Sequence, residues 1–67
     1  MHVAKVVELI GTSEKSFEDA INNAVKRASK TIRNIRGVDV ISQKAVIKNN
    51  KVIEYRVNIK LAFGVED

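Results

Sequence analysis

The residues in this 67-residue chain that could do chemistry exclude more than they suggest. His2 is the one histidine and cysteine is absent, so Ser-His and Cys-His nucleophiles and histidine or thiolate metal sites cannot be assembled within one chain. Glu14 and Glu18 stand one helical turn apart, a spacing open to acid/base work but equally that of a solvated helix face. Gly11, Gly37 and Gly64 are isolated, so no glycine-rich loop is present to cradle a phosphate. Lys26, Arg27, Lys30, Arg33 and Arg36 form the main cationic concentration, either the basic end of a helix dipole or an anion site at that end. Calcium, which takes oxygen ligands, stays open only where acids from several chains converge, because no local loop has the required spacing. This inventory points away from an enzyme and toward binding or assembly.

The chain is short enough to be one domain, residues 1–67, and a domain of this size buries only about 60% of the surface its unfolded chain exposes. Without cysteine it has no disulfide to compensate, so oligomerisation is the expected source of stability. The net charge of +4 permits an acidic partner. Single-stranded nucleic acid would also need exposed aromatics as stacking platforms, yet Phe17, Tyr55 and Phe63 all fall on faces expected to be buried. Nucleic acid is therefore not the expected partner. No apolar run approaches the length of a signal core or a membrane span, which makes the cytoplasm the expected location and a membrane partner not expected.

Four elements must carry these residues. Val3 to Ile10 is β-branched and apolar, a first strand, and Gly11-Thr12-Ser13 ends it with a flexible residue and two N-cap candidates. From Ser13 to Ile35 the apolar residues Phe17, Ala20, Ile21, Ala24, Val25, Ala28, Ile32 and Ile35 recur at helical spacing, predicting a helix of about six turns. Its acids lie early and its bases late, as the helix dipole favours, and Gly37 is placed to cap it. Val38 to Lys48 reads as a second strand, and Asn49-Asn50 as a hairpin turn. Val52 to Val65 alternates without interruption, a strand of roughly 46 Å with Ile53, Tyr55, Val57, Ile59, Leu61, Phe63 and Val65 on one face. The expected fold is α+β, a β-α-β-β protomer whose three-stranded antiparallel sheet wraps one long helix, with the last strand central. Even a helix of about 33 Å would leave part of that strand's apolar face for another subunit. Glu66 and Asp67 form a short acidic end.

Three stretches together resemble the dodecin family of small flavin-binding proteins: Lys5-Val6-Val7-Glu8-Leu9-Ile10-Gly11-Thr12-Ser13 leading into the helix, the helix interior from Ala20 to Arg27-Ala28, and Glu54-Tyr55-Arg56-Val57 through Ala62-Phe63. The resemblance covers about Val3 to Phe63 and implies a hollow homododecamer of cubic symmetry. It implies a small-molecule ligand, in the family a flavin such as FMN, riboflavin or FAD; some members lacking the flavin-stacking tryptophan bind calcium. Flavin-binding members carry that tryptophan just after the helix, where this chain has Gly37, and a glutamine after the third-strand tyrosine, where it has Arg56. A guanidinium offers only donors where the amide offers both donor and acceptor. The resemblance thus implies an altered site, Arg36, Gly37 and Arg56 lining a cationic pocket suited to a phosphate-bearing ligand. The alternative is structural: Gly37 as helix cap and Arg56 paired with an acid such as Glu54 of another chain.

Overall fold

The computed structural model describes residues 3–65, so His2, Glu66 and Asp67 lie outside the described residues. Strand β1 spans Val3–Ser13, helix α1 Phe17–Ala28, strand β2 Ile35–Lys48 and strand β3 Lys51–Val65. They form a three-stranded sheet in the order β1-β3-β2, with β3 antiparallel to both neighbours. The α+β expectation and the central place of the last strand hold.

The helix differs most from expectation, running 12 residues instead of the 23 from Ser13 to Ile35. At its start the cap is Ser16, whose side chain accepts from the Asp19 amide at 2.9 Å, while Ser13 still belongs to β1. At its end Ser29 donates its hydroxyl back to the Lys26 carbonyl, and Lys30 and Thr31 close tighter i→i+3 bonds. Short hydroxyl side chains compete in this way for backbone groups and weaken a helix. Asn34 then takes the left-handed conformation at φ 61°, which turns the chain into β2. Ile35, in phase with the helical stripe, instead opens a strand opposite Phe63. Gly37 is therefore no helix cap: it lies within β2 with a negative φ, opposite Ala62.

Gly11 is a second correction. It does not loosen the end of β1 but sits in the strand opposite Val57, because α1 crosses directly over it. A Cβ placed there would overlap the Ala20 carbonyl oxygen and stand 2.9 Å from the Ala24 Cβ. Glycine on the sheet and fully or nearly buried Ala20, Ala24 and Ala28 on the helix let the two backbones approach closely. Under the helix lie Val57, Ile59 and Leu61, each with no solvent exposure. Phe17 and Tyr55 close one end edge-to-face, their ring centroids 5.0 Å apart.

Side-chain bonds fix the helix to β1. The Ser13 hydroxyl donates to the Asp19 carboxylate at 2.6 Å and accepts from the Lys15 amide, and the Asn23 amide donates to the Thr12 carbonyl. Asn49 and Asn50, at φ 53° and 63°, form the two-residue turn between β2 and β3, with the positive φ at both positions that a type I′ hairpin requires.

The protomer is long and thin, 52 × 20 × 13 Å. Its radius of gyration is 13.7 Å, against about 11 Å for a compact chain of this length. Its accessible surface is 5218 Å², about 1,000 Å² more than a monomeric protein of 7.5 kDa exposes. A helix of about 18 Å covers barely a third of a sheet set by the 15-residue β3, about 50 Å long.

Candidate functional site

Even-numbered residues of β3 point away from the helix, and each sits in a row with its partners on both neighbouring strands. Along that open face the rows are Thr12, Arg56 and Lys44, then Ile10, Asn58 and Ser42, then Glu8, Lys60 and Asp39, then Val6, Ala62 and Gly37. Two bulges in β2 set this alignment. One adds Ile41 between Val40 and Ser42, and the other adds Arg36 between Ile35 and Gly37. Without the extra residue at Ile41, Ser42 would fall on the opposite side of the sheet from Asn58, since one residue of slip reverses every side chain.

Arg56 is held by Glu54 of its own chain, Nη2 to Oε1 at 2.8 Å and Nε to the same oxygen at 3.1 Å. The two residues are i and i+2 on one strand and so share a face, which makes an acid from another chain unnecessary for this pair. Beside it, Ile10, Ser42, Lys44, Arg56, Val57 and Asn58 line a hollow of about 230 Å³. Asn58 Oδ1 is buried there with no hydrogen-bond partner among the described residues. A buried acceptor left unpaired costs about 1–3 kcal/mol, so this one awaits a donor from outside the protomer.

The three positions singled out from sequence do not meet within one chain. Gly37 is opposite Ala62 and Arg56 lies six positions earlier on β3, about 20 Å away at strand spacing. Arg36, lifted by its bulge, brings Nε to 3.6 Å from where a Gly64 Cβ would be, at the same end as Gly37. A Cβ on Gly37 would meet nothing within 4 Å. Sequence reasoning missed Ser42, Lys44 and Asn58. The available signal was an uncharged amide in mid-strand between Arg56 and Lys60, but register through a bulge was needed to bring Ser42 and Lys44 beside it.

The family model for dodecin matches residues 3–66. The chain belongs to the dodecin family. The dodecin of Thermus thermophilus is 40% identical over 65 residues, spanning 97% of this chain and 94% of that protein. The calcium dodecin of Mycobacterium tuberculosis is 38% identical over 63 residues, 94% of this chain and 89% of that one. A crystal structure of the Thermus dodecin carrying an arginine-to-alanine substitution has a TM-score of 0.95 at 39% identity, covering 100% of both chains. The crystal structure of the Mycobacterium calcium dodecin, described as calcium-chelating with a novel calcium-binding site, has a TM-score of 0.83 at 36% identity, covering 96% of this chain and 91% of that one.

The residues present fit neither group implied by the dodecin resemblance within one protomer. A stacked flavin needs an aromatic ring on the open face, and none of the aromatics lies there: Phe17 and Tyr55 face each other, and Phe63 is on the helix side with Leu61. For calcium, no group of three or more acids or histidines stands together among the described residues.

Proposed function

We propose that this dodecin family member is a non-enzymatic binding protein, a homododecameric shell that holds a small phosphate-bearing ligand on the open face of its sheet. The observation that carries this reading is the unpaired, buried Asn58 Oδ1 in a hollow that also presents Lys44 and Arg56. The amide oxygen calls for a donor on the ligand, and the two cations call for an anion. Arg56, already neutralised by Glu54, orients the site, leaving Lys44 as the freer positive charge. Arg36 and Gly37, at the far end of the same face, complete such a site only when supplied by a neighbouring copy.

FMN and riboflavin differ by one phosphate and serve as paired probes, with binding followed through flavin fluorescence. FMN is expected to bind tenfold or more tightly, since hydrogen bonds to a charged group contribute about 1.5–3 kcal/mol each. Asn58→Leu is expected to weaken FMN binding without loss of stability. Equal binding of both flavins, or FMN binding indifferent to Asn58→Leu, would refute the proposal. A second reading, calcium held between subunits, is favoured by the similarity to the Mycobacterium calcium dodecin. Equilibrium dialysis against calcium and magnesium tests it, and no calcium uptake removes it.

A further inference from the structure

The basic run that begins at Lys26 is only partly explained by the helix that carries it. Lys26 and Arg27 stand in the last turn of α1, where the helix dipole favours cations. Lys30 and Arg33 come after Ala28, the last helical residue, and the influence of the dipole falls off within the terminal turn. All four side chains are exposed, and none is paired with an acid among the described residues. Strand register explains why. Glu8 and Asp39 flank Lys60 on the open face of the sheet, and Glu54 shares that face with Arg56. On the helix side no strand position among the described residues carries a carboxylate, and Lys5, opposite Phe63, adds another cation there. The acids of α1, Glu18 and Asp19, lie in its first turn, and Asp19 is already held by the Ser13 hydroxyl. The exposed residues of α1 are Glu18, Asn22, Asn23, Lys26 and Arg27, all polar. This surface therefore lacks both the apolar centre of a protein interface and the apolar face that an amphipathic helix sinks into a bilayer.

We propose that Lys26, Arg27, Lys30 and Arg33 bind the phosphate backbone of duplex nucleic acid without reading its sequence. Cations set against phosphates release the counterions condensed on the duplex, which supplies essentially all of non-specific affinity. Arg27 and Arg33 can each grip a phosphate through two parallel N–H groups. The lack of exposed aromatics sets single strands aside, because unstacked bases need rings to lie on, whereas a duplex keeps its bases stacked and presents only phosphates. The cationic surface is on the helix side of the sheet and the Asn58 hollow on the other, so the inference goes beyond the ligand reading and holds for any number of assembled copies. Copies in one assembly would reinforce one another along a single polyanion.

Fluorescence anisotropy with a labelled mixed-sequence DNA duplex, repeated over a series of salt concentrations, is the test. Four neutralised phosphates give a fall of log affinity against log salt with a slope of about −3.5, steeper where two copies share one duplex. The paired substitution Lys30→Gln and Arg33→Gln, both at exposed positions, is expected to make the slope shallower by about 2 and to weaken binding at low salt at least ~10-fold. Lys48→Gln with Lys51→Gln removes the same net charge at the hairpin end and is expected to leave slope and affinity unchanged. Equal losses from the two pairs mean that net charge alone attracts the duplex, which overturns the proposal. A slope shallower than about −2, or tighter binding to a single strand of the same sequence, overturns it too. Capture by phosphatidylserine vesicles without binding to the duplex assigns the cations to a membrane and also overturns it. FMN binding is expected to be equal in the Lys30→Gln, Arg33→Gln protein and the unmodified one, and its loss would overturn the separation of this surface from the ligand hollow.

Discussion

Replacing Gly11 and Gly37 by alanine, one at a time, adds the same methyl group to the same sheet with opposite expected results. At Gly11 the new Cβ overlaps the Ala20 carbonyl and crowds the Ala24 Cβ at 2.9 Å. The contacts are a backbone oxygen and a short side chain, so no rotamer change relieves them, and the helix itself must lift. Overpacking of this kind costs about 1–3 kcal/mol. Lifting also strains the Ser13-Asp19 and Asn23-Thr12 bonds that fasten α1 to β1, each contributing about 0.5–1.5 kcal/mol. The expected loss is about 2–5 kcal/mol, at ~4–8 °C per kcal/mol a fall of at least about 8 °C in Tm. At Gly37 the Cβ meets nothing within 4 Å, and a glycine inside a strand is about 0.5–1 kcal/mol worse than alanine, so that variant should be neutral or slightly more stable. Thermal unfolding followed by far-UV circular dichroism, at one fixed protomer concentration because assembly contributes to stability, measures both. If Gly11→Ala were no less stable than Gly37→Ala, the close approach of helix to sheet at Gly11 would be wrong.

The hairpin turn holds Asn49 and Asn50 at positive φ, so Asn50→Gly should raise the unfolding free energy in a urea titration by up to about 1 kcal/mol, and a fall would argue against the type I′ turn. Ser16→Ala removes the helix cap that Asp19 bonds and should cost about 1 kcal/mol in urea unfolding. Glu54→Ala releases the half-exposed Arg56, and is expected to change stability by less than about 1 kcal/mol while tightening FMN binding; weaker binding would show that Glu54 positions Arg56 for the ligand. Gly37→Trp places a ring where the open face has room for one, and should deepen flavin quenching and improve flavin affinity by about 0.5–1.5 kcal/mol per stacked pair, with an unchanged titration counting against stacking at that position.

The alternation from Val52 to Val65 by itself determined a long central strand and its buried face, because side chains in a strand reverse at every residue and Val57, Ile59 and Leu61 could share only one side. The paired asparagines likewise determined the hairpin, since few other residues accept positive φ. The poor fit of so long a strand to so short a chain already demanded partners. Three matters were decided only by tertiary structure. Ile32 and Ile35 keep helical spacing, yet the helix ends at Ala28, because local hydroxyl bonds and a left-handed Asn34 outweigh that periodicity. Gly11 looked like the flexible end of a strand and is a contact inside one, a distinction set by the helix that crosses over it. The site shows the same limit: Ser42, Lys44 and Asn58 converge through the one-residue slip at Ile41, and the mixed polar and apolar order of Val38 to Lys48 does not say where such a slip falls.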